Sequence, residues 1–523
     1  MTTGTELAFN VLDEPWIPVR THDGSVREVG LKEAFRHASG YSGLAETSPP
    51  NLIALYRLLF AVLHRALATQ YGPWTSTDRA RWFREGLPQD VVQSYLEKWR
   101  DRFWLFHPTH PFMQVAALAE AEETRNKHKP VGQLALESST GNMVLLFDHS
   151  LDDRPTAMTY ASACRSLLGL CQFTPGGLVK AVRDSDKAGP LANTAAVVPL
   201  GRNLSETLLM GLHPYDAIRP NDLPAWERSP PGLDELRAPP SLATGPNDRY
   251  TRLARAVLLL PHTVSGEVRQ IRFAAGLALE EDMNAPDPMA CYRINKNEQP
   301  IRVTFTEGRA VWRDLPSLVP DASRANDIPP AILGWAADLL MILGEWDIDV
   351  PILTAGLASD QAKLLRWRIE RLVLPKAMLT NPDASAELRA QVRLAERRYR
   401  ELNIFLSKMI VQTMPNPAHK DTLSRARQIL EQSPASAEFF SAAERALPAL
   451  MKQIARGEVD TAVRSWQQAL VEAAEDAWEA VRRSLGDSPV VLRAEARVWS
   501  RFRGWLKSLT PVSGEACYEE TTT

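Results

Sequence analysis

Cysteine is scarce: the 523-residue chain holds four, Cys164, Cys171, Cys291 and Cys517. No two form a C-x-x-C pair, so a disulfide framework is not expected and a reducing compartment, the cytoplasm, fits. Long apolar runs are missing too. No stretch reaches roughly 18 uninterrupted apolar residues, and the opening MTTGTELAFNVLDEPWIPV lacks a basic segment leading into an apolar one. Neither membrane insertion nor secretion is indicated. Four common enzyme signatures, G-x-x-x-x-G-K-[ST], G-x-G-x-x-G, H-E-x-x-H and G-x-S-x-G, are absent, and no cofactor is implied. Positive charge is not in excess either. At a formal net charge of −3, the chain cannot coat nucleic acid through overall charge, and any such contact has to be a local patch.

What is present is a globular composition, 45% hydrophobic and 24% charged, long enough for two or three domains. Residues 1–375 mix short apolar runs with many turn signals and read as a large irregular mixed α/β domain. Within it Asp23-Gly24, between Ile17-Pro18-Val19 and Val26 to Val29, predicts a hairpin. Leu52, Leu55, Leu58, Leu59, Val62 and Leu63 predict a buried amphipathic helix. Glu120 to Gly141 is polar and turn-rich, a long loop leading into a strand at Met143 to Phe147; such loops are either functional or disordered. After Pro351 prolines thin out, and the pattern predicts helices over Gln361–Leu372, Ala384–Val411, Lys420–Leu430, Ser436–Ile454, Asp460–Leu485 and Val490–Leu509. The expected fold class is therefore α+β, with an all-α four-helix bundle over 376–511 and a flexible tail over 512–523.

Chemistry-bearing clusters are few. His107 and His110 lie three apart between prolines; they read either as a rigid core-capping turn or, with a third ligand such as Asp148 or His149, as a metal-dependent hydrolase site. Cys164 and Cys171 share a leucine-rich helix face and read as core. Asp347 and Asp349 share a strand face, a common exposed arrangement without catalytic meaning.

Three features suit a nucleic acid. Thr174-Pro175-Gly176-Gly177 ends an apolar helix, where glycines serve either as a C-terminal turn or as a point of close backbone approach. Asp360-Gln361-Ala362 opens an expected helix carrying Lys363, Arg366 and Arg368, either an ordinary solvated helix or a phosphate-facing one. Arg389, Arg393 and Arg397 at spacings of four make a basic helix stripe interleaved with Glu387, Glu396 and Glu401, either a solvated, partly salt-bridged helix or a phosphate track.

The ordered set Leu12-Asp-Glu-Pro-Trp-Ile-Pro-Val-Arg20, His110-Pro-Phe-Met-Gln114, Gly141 to His149, Gly189-Pro-Leu-Ala192, Asn203 to Leu209, Asp222 to Glu227 and Val311 to Leu315 resembles the large subunit of the type I-E CRISPR Cascade, the CasA family. The resemblance spans nearly the whole chain. It implies a non-catalytic subunit, binding no metal, that recognises the protospacer-adjacent motif (PAM) in double-stranded target DNA, starts strand separation and recruits a helicase-nuclease. Its implied partners are the crRNA-bearing Cascade subunits: backbone, small and 5′-handle-binding. By the same resemblance Gly176 and Gly177 form a glycine loop at the motif. Val131, Gly132, Gln133 and Asn142 belong to a long motif-facing loop, and Arg269 or Arg272 stands for a basic hairpin residue. Asp360, Gln361 and Ala362 form a wedge with Gln361 in the base-pair gap; many relatives carry asparagine where this chain has Asp360. Lys363, Arg366, Arg368, Arg393 and Arg397 would face the DNA backbone.

Overall fold

A computed structural model describes residues 8–137, 156–177, 181–184, 186–262, 266–320, 327–344, 348–360 and 363–509. The chain divides into two units, 1–311 with 323–376, and 312–322 with 377–523.

The first unit is organised around the Pro49–Tyr71 helix, which starts with proline in its first turn after Ser48, where a missing N–H costs nothing. The leucine spacing predicts one apolar face, but burial extends nearly all round, including Arg57 at 0% exposure. Among the described residues this helix alone is long and apolar enough to cross a membrane, and 89% of its apolar window is buried inside the protein, as in a core helix. The Arg57 guanidinium is tolerated there because it pairs with buried Asp287 and donates to Gln172 Oε1 at 2.7 Å. Packed on this helix is Tyr160–Phe173, whose Cys164 and Cys171 face the core.

Small antiparallel sheets surround the helices. The hairpin predicted at Asp23-Gly24 pairs Ile17–Thr21 with Val26–Val29, from Ile17↔Val29 to Arg20↔Val26. A second hairpin, 255–275, pairs Arg255–His262 with Glu267–Ala275. Lys129–Pro130 adds to its second strand, the central one of the sheet, through Gln270↔Pro130. Here the long loop expected over Glu120–Gly141 acquires structure, with a 3-10 turn at Val131–Leu134. The expected strand at Met143–Phe147 lies outside the described residues.

One expectation is overturned. The segment expected as helix Gln361–Leu372 is instead the second strand of a long hairpin, Asp349–Asp360 against Lys363–Pro375, paired from Asp349↔Pro375 to Asp360↔Lys363 with a register shift between Ala358 and Ser359. Ser359 and Asp360 therefore cap no helix. Lys, Leu and Arg favour helix locally, but Leu365, Trp367 and Ile369 alternate with Arg366, Arg368 and Glu370 at the two-residue period of a strand. Pairing of Ile352–Ala355 with Ala196–Pro199 extends this into a three-stranded sheet, a tertiary contact that outweighs local propensity.

The second unit is helical, with Pro382–Thr413, Lys420–Glu431, Ala435–Ala455, Val459–Leu485 and Pro489–Leu509. The 32-residue helix starts at Asn381, whose side chain accepts from the amides of Asp383 and Ala384, with Pro382 in the first turn. It packs against each of the other four. Trp466, Trp478, Phe439 and Phe502 fill the core, Trp478 stacking on Phe502 at 4.2 Å. Trp312, from the 312–322 excursion, meets Trp466 edge-on at 6.4 Å.

Candidate nucleic-acid interface

Four segments far apart in sequence meet in the first unit. The Tyr160–Phe173 helix ends at the glycine loop, and its terminal carbonyls are satisfied by a returning strand of chain. Gly189 N donates to Thr174 O at 2.8 Å and Leu191 N to Gln172 O at 2.8 Å. A Cβ on Gly189 would lie 2.7 Å from Gln172 O and 2.9 Å from Cys171 O, closer than any side chain allows, which gives the Gly189-Pro190-Leu191-Ala192 motif its physical meaning. Gly177 has φ +81°, and its amide donates to Asp186 O at 3.0 Å.

Behind the loop lies a buried ionic clamp. Arg255, at the start of the 255–275 hairpin, donates to the carbonyls of Pro175 and Lys187 and pairs with Asp186. Both side chains are essentially inaccessible, and Arg183 reaches the same carboxylate at 3.5 Å. Burial pushes the Asp186 carboxyl up and the Arg255 guanidinium down from their ordinary values. Neither Arg255 nor Asp186 stood out in the sequence, because nothing local marks two residues that meet only in the fold.

The Val131–Leu134 turn packs against both the glycine-loop helix and the Glu267–Ala275 strand. Val131 is 0% exposed, so its side chain is core, while Gly132 and Gln133 remain partly accessible. Arg269 is exposed beside Glu267 at 3.3 Å, at an irregularity in the hairpin register. Arg272 is half-buried and turned inward, toward Leu118 O at 3.4 Å. Of the two candidates, Arg269 is therefore the accessible hairpin cation.

The 349–375 hairpin joins this group through Trp367. Its ring meets Phe173 edge-on at 5.4 Å, and its Nε1 donates to Leu136 O at 3.4 Å. Asp360 and Lys363 form the last pair of the hairpin; Gln361 and Ala362, which connect them in sequence, lie outside the described residues, as does Asn142. No side-chain description covers Asp360, Lys363 or Arg366. Arg368 is used internally, donating to Thr306 O at 2.9 Å and Arg309 O at 3.1 Å and pairing with Glu370. It is not an open backbone contact. In the helical unit Arg393 and Arg397 are exposed. Arg389 is 7% exposed and donates to Pro320 O, so the expected stripe of three is reduced to two.

His107 and His110 are joined by Asp101, which the sequence reading did not include, and these three form a described group of the size a metal requires. Their arrangement suits a turn better. The rings stack at 3.4 Å, 26° apart, and both present Nε2 to the same Asp101 carboxylate. His107 Nδ1 accepts the amides of Thr109 and His110 at 3.2 and 3.1 Å, which leaves its proton on Nε2, the atom facing Asp101. His110 Nε2 lies 2.6 Å from Asp101 Oδ2, a charge-assisted bond. Asp148 and His149 lie outside the described residues.

Taken together, the four segments of the first unit bring loops and hairpins together on a mixed α/β scaffold. Residues 10–477 match a family profile described as CRISPR-associated protein Cse1. The chain is 35% identical over 504 residues to a CRISPR-associated protein CasA/Cse1 of Thermus thermophilus, covering 94% of this chain and 96% of that one. The solved structure of Thermus thermophilus CasA superposes with a TM-score of 0.80 at 32% identity, covering 96% of this chain and 100% of that one. A chain of a CRISPR RNA-guided surveillance complex shares the fold at a TM-score of 0.72 and 22% identity, covering 95% and 99% of the two chains. The protein belongs to the CRISPR-associated Cse1 (CasA) family.

Proposed function

We propose that this chain is the large subunit of a type I-E RNA-guided surveillance complex in the cytoplasm, that it reads the PAM in duplex DNA, and that it begins strand separation. It contributes no catalytic group. It assembles with the crRNA-bearing subunits and, once the target strand is paired, recruits the helicase-nuclease. The four longest helices of its C-terminal unit act as a bundle in that assembly. The observation that carries the reading is the junction at Trp367, where the wedge hairpin touches both the end of the glycine-loop helix and the segment following Val131-Gly132-Gln133.

Gly176, Gly132, Gln133 and Arg269 present amides, a carboxamide and one cation, groups suited to the minor groove, while Gly177, its amide held by Asp186 O, shapes the turn that carries Gly176. That groove distinguishes mainly A·T from G·C, so several motif sequences should be accepted. Gln361 enters the base-pair gap. Unstacking one step costs a few kcal/mol, offset as guide RNA pairs with the freed strand. Arg393 and Arg397 add a salt-sensitive backbone contact.

The test is motif-dependent strand opening by the guide-loaded complex, reconstituted with and without this chain and with Gln361→Ala. Opening that requires the chain and collapses with Gln361→Ala is expected. Opening that proceeds without the chain would leave it a scaffold at most.

A further inference from the structure

The first unit also contains a cavity of about 450 Å³ lined by His64, His213, Arg249 and Trp335, which falls in the size range of small-molecule sites, roughly 300–1,000 Å³. Its walls are mostly apolar, with Pro214, Pro246 and Pro288 among them.

Three buried polar side chains on this wall are incompletely satisfied: His64, whose Nε2 has no hydrogen-bond partner among the described residues, His213 and Arg249. His213 is 3% exposed. It stacks on His64 at 3.6 Å, lies tilted against Trp335 at 5.9 Å, and meets Tyr250 edge-on at 6.0 Å. Neither of its ring nitrogens has a hydrogen-bond partner among the described residues. Arg249 is likewise 3% exposed; its Nη2 donates to Ala285 O at 3.1 Å, while Nη1 has no partner among the described residues. The neighbouring charged groups are already committed. Arg65 is held by both carboxylate oxygens of Glu227 at 2.8 Å, and Asp222 accepts the amides of Asn247 and Asp248 at 2.9 Å.

A buried donor left without a partner costs about 1–3 kcal/mol, and more when charged. Interiors rarely retain several such groups on one cavity wall unless something completes them. The missing partner of Arg249 Nη1 is an acceptor, best an anionic oxygen, since guanidinium groups bond carboxylate and phosphate most strongly. His213, held neutral by burial, offers one donor and one acceptor to the edge of a polar ring. Trp335 and the prolines favour a flat apolar body.

We infer that this cavity binds a small ligand of about mononucleotide size, with a phosphate or carboxylate head on Arg249 and a flat body along Trp335 and the proline wall, its polar edge toward His213. The inference does not depend on the DNA-reading role. The site nevertheless adjoins the glycine-loop helix, because Tyr250, which meets His213, accepts at its carbonyl from Gln172 Nε2 at 2.9 Å.

The experiment is isothermal titration of the full chain with adenosine monophosphate, adenosine and benzoate, repeated on Arg249→Gln, His213→Phe and Ala331→Trp. Ala331 is an exposed residue of the cavity wall, so Ala331→Trp narrows the cavity without disturbing the core and remains informative if a buried variant fails to fold. Saturable one-to-one binding of adenosine monophosphate or benzoate is expected, weakened at least tenfold in each folded variant. If the phosphate is the head, adenosine binds at least tenfold more weakly than its monophosphate; benzoate binding alone identifies a carboxylate head. The inference is overturned if neither anionic probe saturates, if adenosine binds as well as its monophosphate in the absence of benzoate binding, or if Ala331→Trp binds like the wild type.

Discussion

Arg255 and Asp186 form a buried ion pair directly behind the glycine loop, and the same guanidinium holds the Pro175 carbonyl. Position and stability are thus coupled in one side chain. Arg255→Met leaves the Asp186 carboxylate buried opposite only Arg183, and removing one partner of such a pair typically costs about 3–5 kcal/mol. Urea denaturation should show a loss of that size. In Arg255→Met/Asp186→Leu most of the stability should return, while motif-dependent opening by the reconstituted complex stays impaired because Pro175 has lost its donor. Full recovery of opening in the double variant would show that the clamp does not position the loop.

The two ends of that loop should respond differently to a methyl group. At Gly177 a Cβ meets nothing within 4 Å, so the penalty of Gly177→Ala is conformational, from φ +81°, about 1–2 kcal/mol. Gly177→Asn should cost less, since asparagine tolerates this region. At Gly189 the Cβ collides with two backbone oxygens, and Gly189→Ala should cost about 3 kcal/mol. Thermal unfolding of the three variants should give that order.

Trp367→Ala removes the ring that links the long hairpin to Phe173 and Leu136. A loss of about 2 kcal/mol is expected, less than for a fully buried tryptophan because Trp367 is only half-buried. Trp367→Phe should restore the edge-on contact and most of the stability. Limited proteolysis should cut near 360 faster in the alanine variant than in the phenylalanine one.

Stability should fall on mild acidification. Burial lowers His64 to about 3 and holds His213 well below its ordinary value. Both stay neutral in the folded chain while the unfolded chain takes up protons below about pH 6.5. Their contribution is present above that pH and is lost as pH falls toward the folded values, by roughly 1.4 kcal/mol per pH unit for each histidine. Urea midpoints at pH 7.0 and 5.5 should separate accordingly, and His213→Phe should reduce the pH dependence by about one histidine's share.

Helical structure was the most legible part of the sequence. Leu388, Val392, Ala395, Leu402 and Leu406 repeat at the helix period and are buried, so the expected Ala384–Val411 matches the observed Pro382–Thr413 to within the fraying of helix ends. The 349–375 hairpin was misread because Lys363, Leu364, Leu365 and Arg366 suit a helix, whereas the strand is imposed by partners elsewhere, Ala196–Pro199 among them. Gly176 and Gly177 were legible as a helix-ending loop. Arg255, Asp186 and Asp101 were not, since pairing of distant residues leaves no periodic trace. The mixed α/β class with a helical C-terminal region followed from short apolar runs with turn signals early in the chain and from thinning prolines and helical periodicity later, while the assignment of 312–322 to the helical unit depended on contacts no local pattern encodes.

The long hairpin is braced on one strand by Ala196–Pro199 up to Ala355, and on the other by Trp367 against Phe173. From the Leu357↔Trp367 pair to Asp360 only three residues remain, an overhang of roughly 10 Å at about 3.3 Å per residue. So short a cantilever bends little under load, because compliance rises steeply with length. A force met at the end of the hairpin is passed back through the indole to Phe173, the last residue of the helix that carries the glycine loop. Resistance encountered at one end of this lever is therefore felt at the loop, less whatever the register shift between Ala358 and Ser359, inside the overhang, takes up.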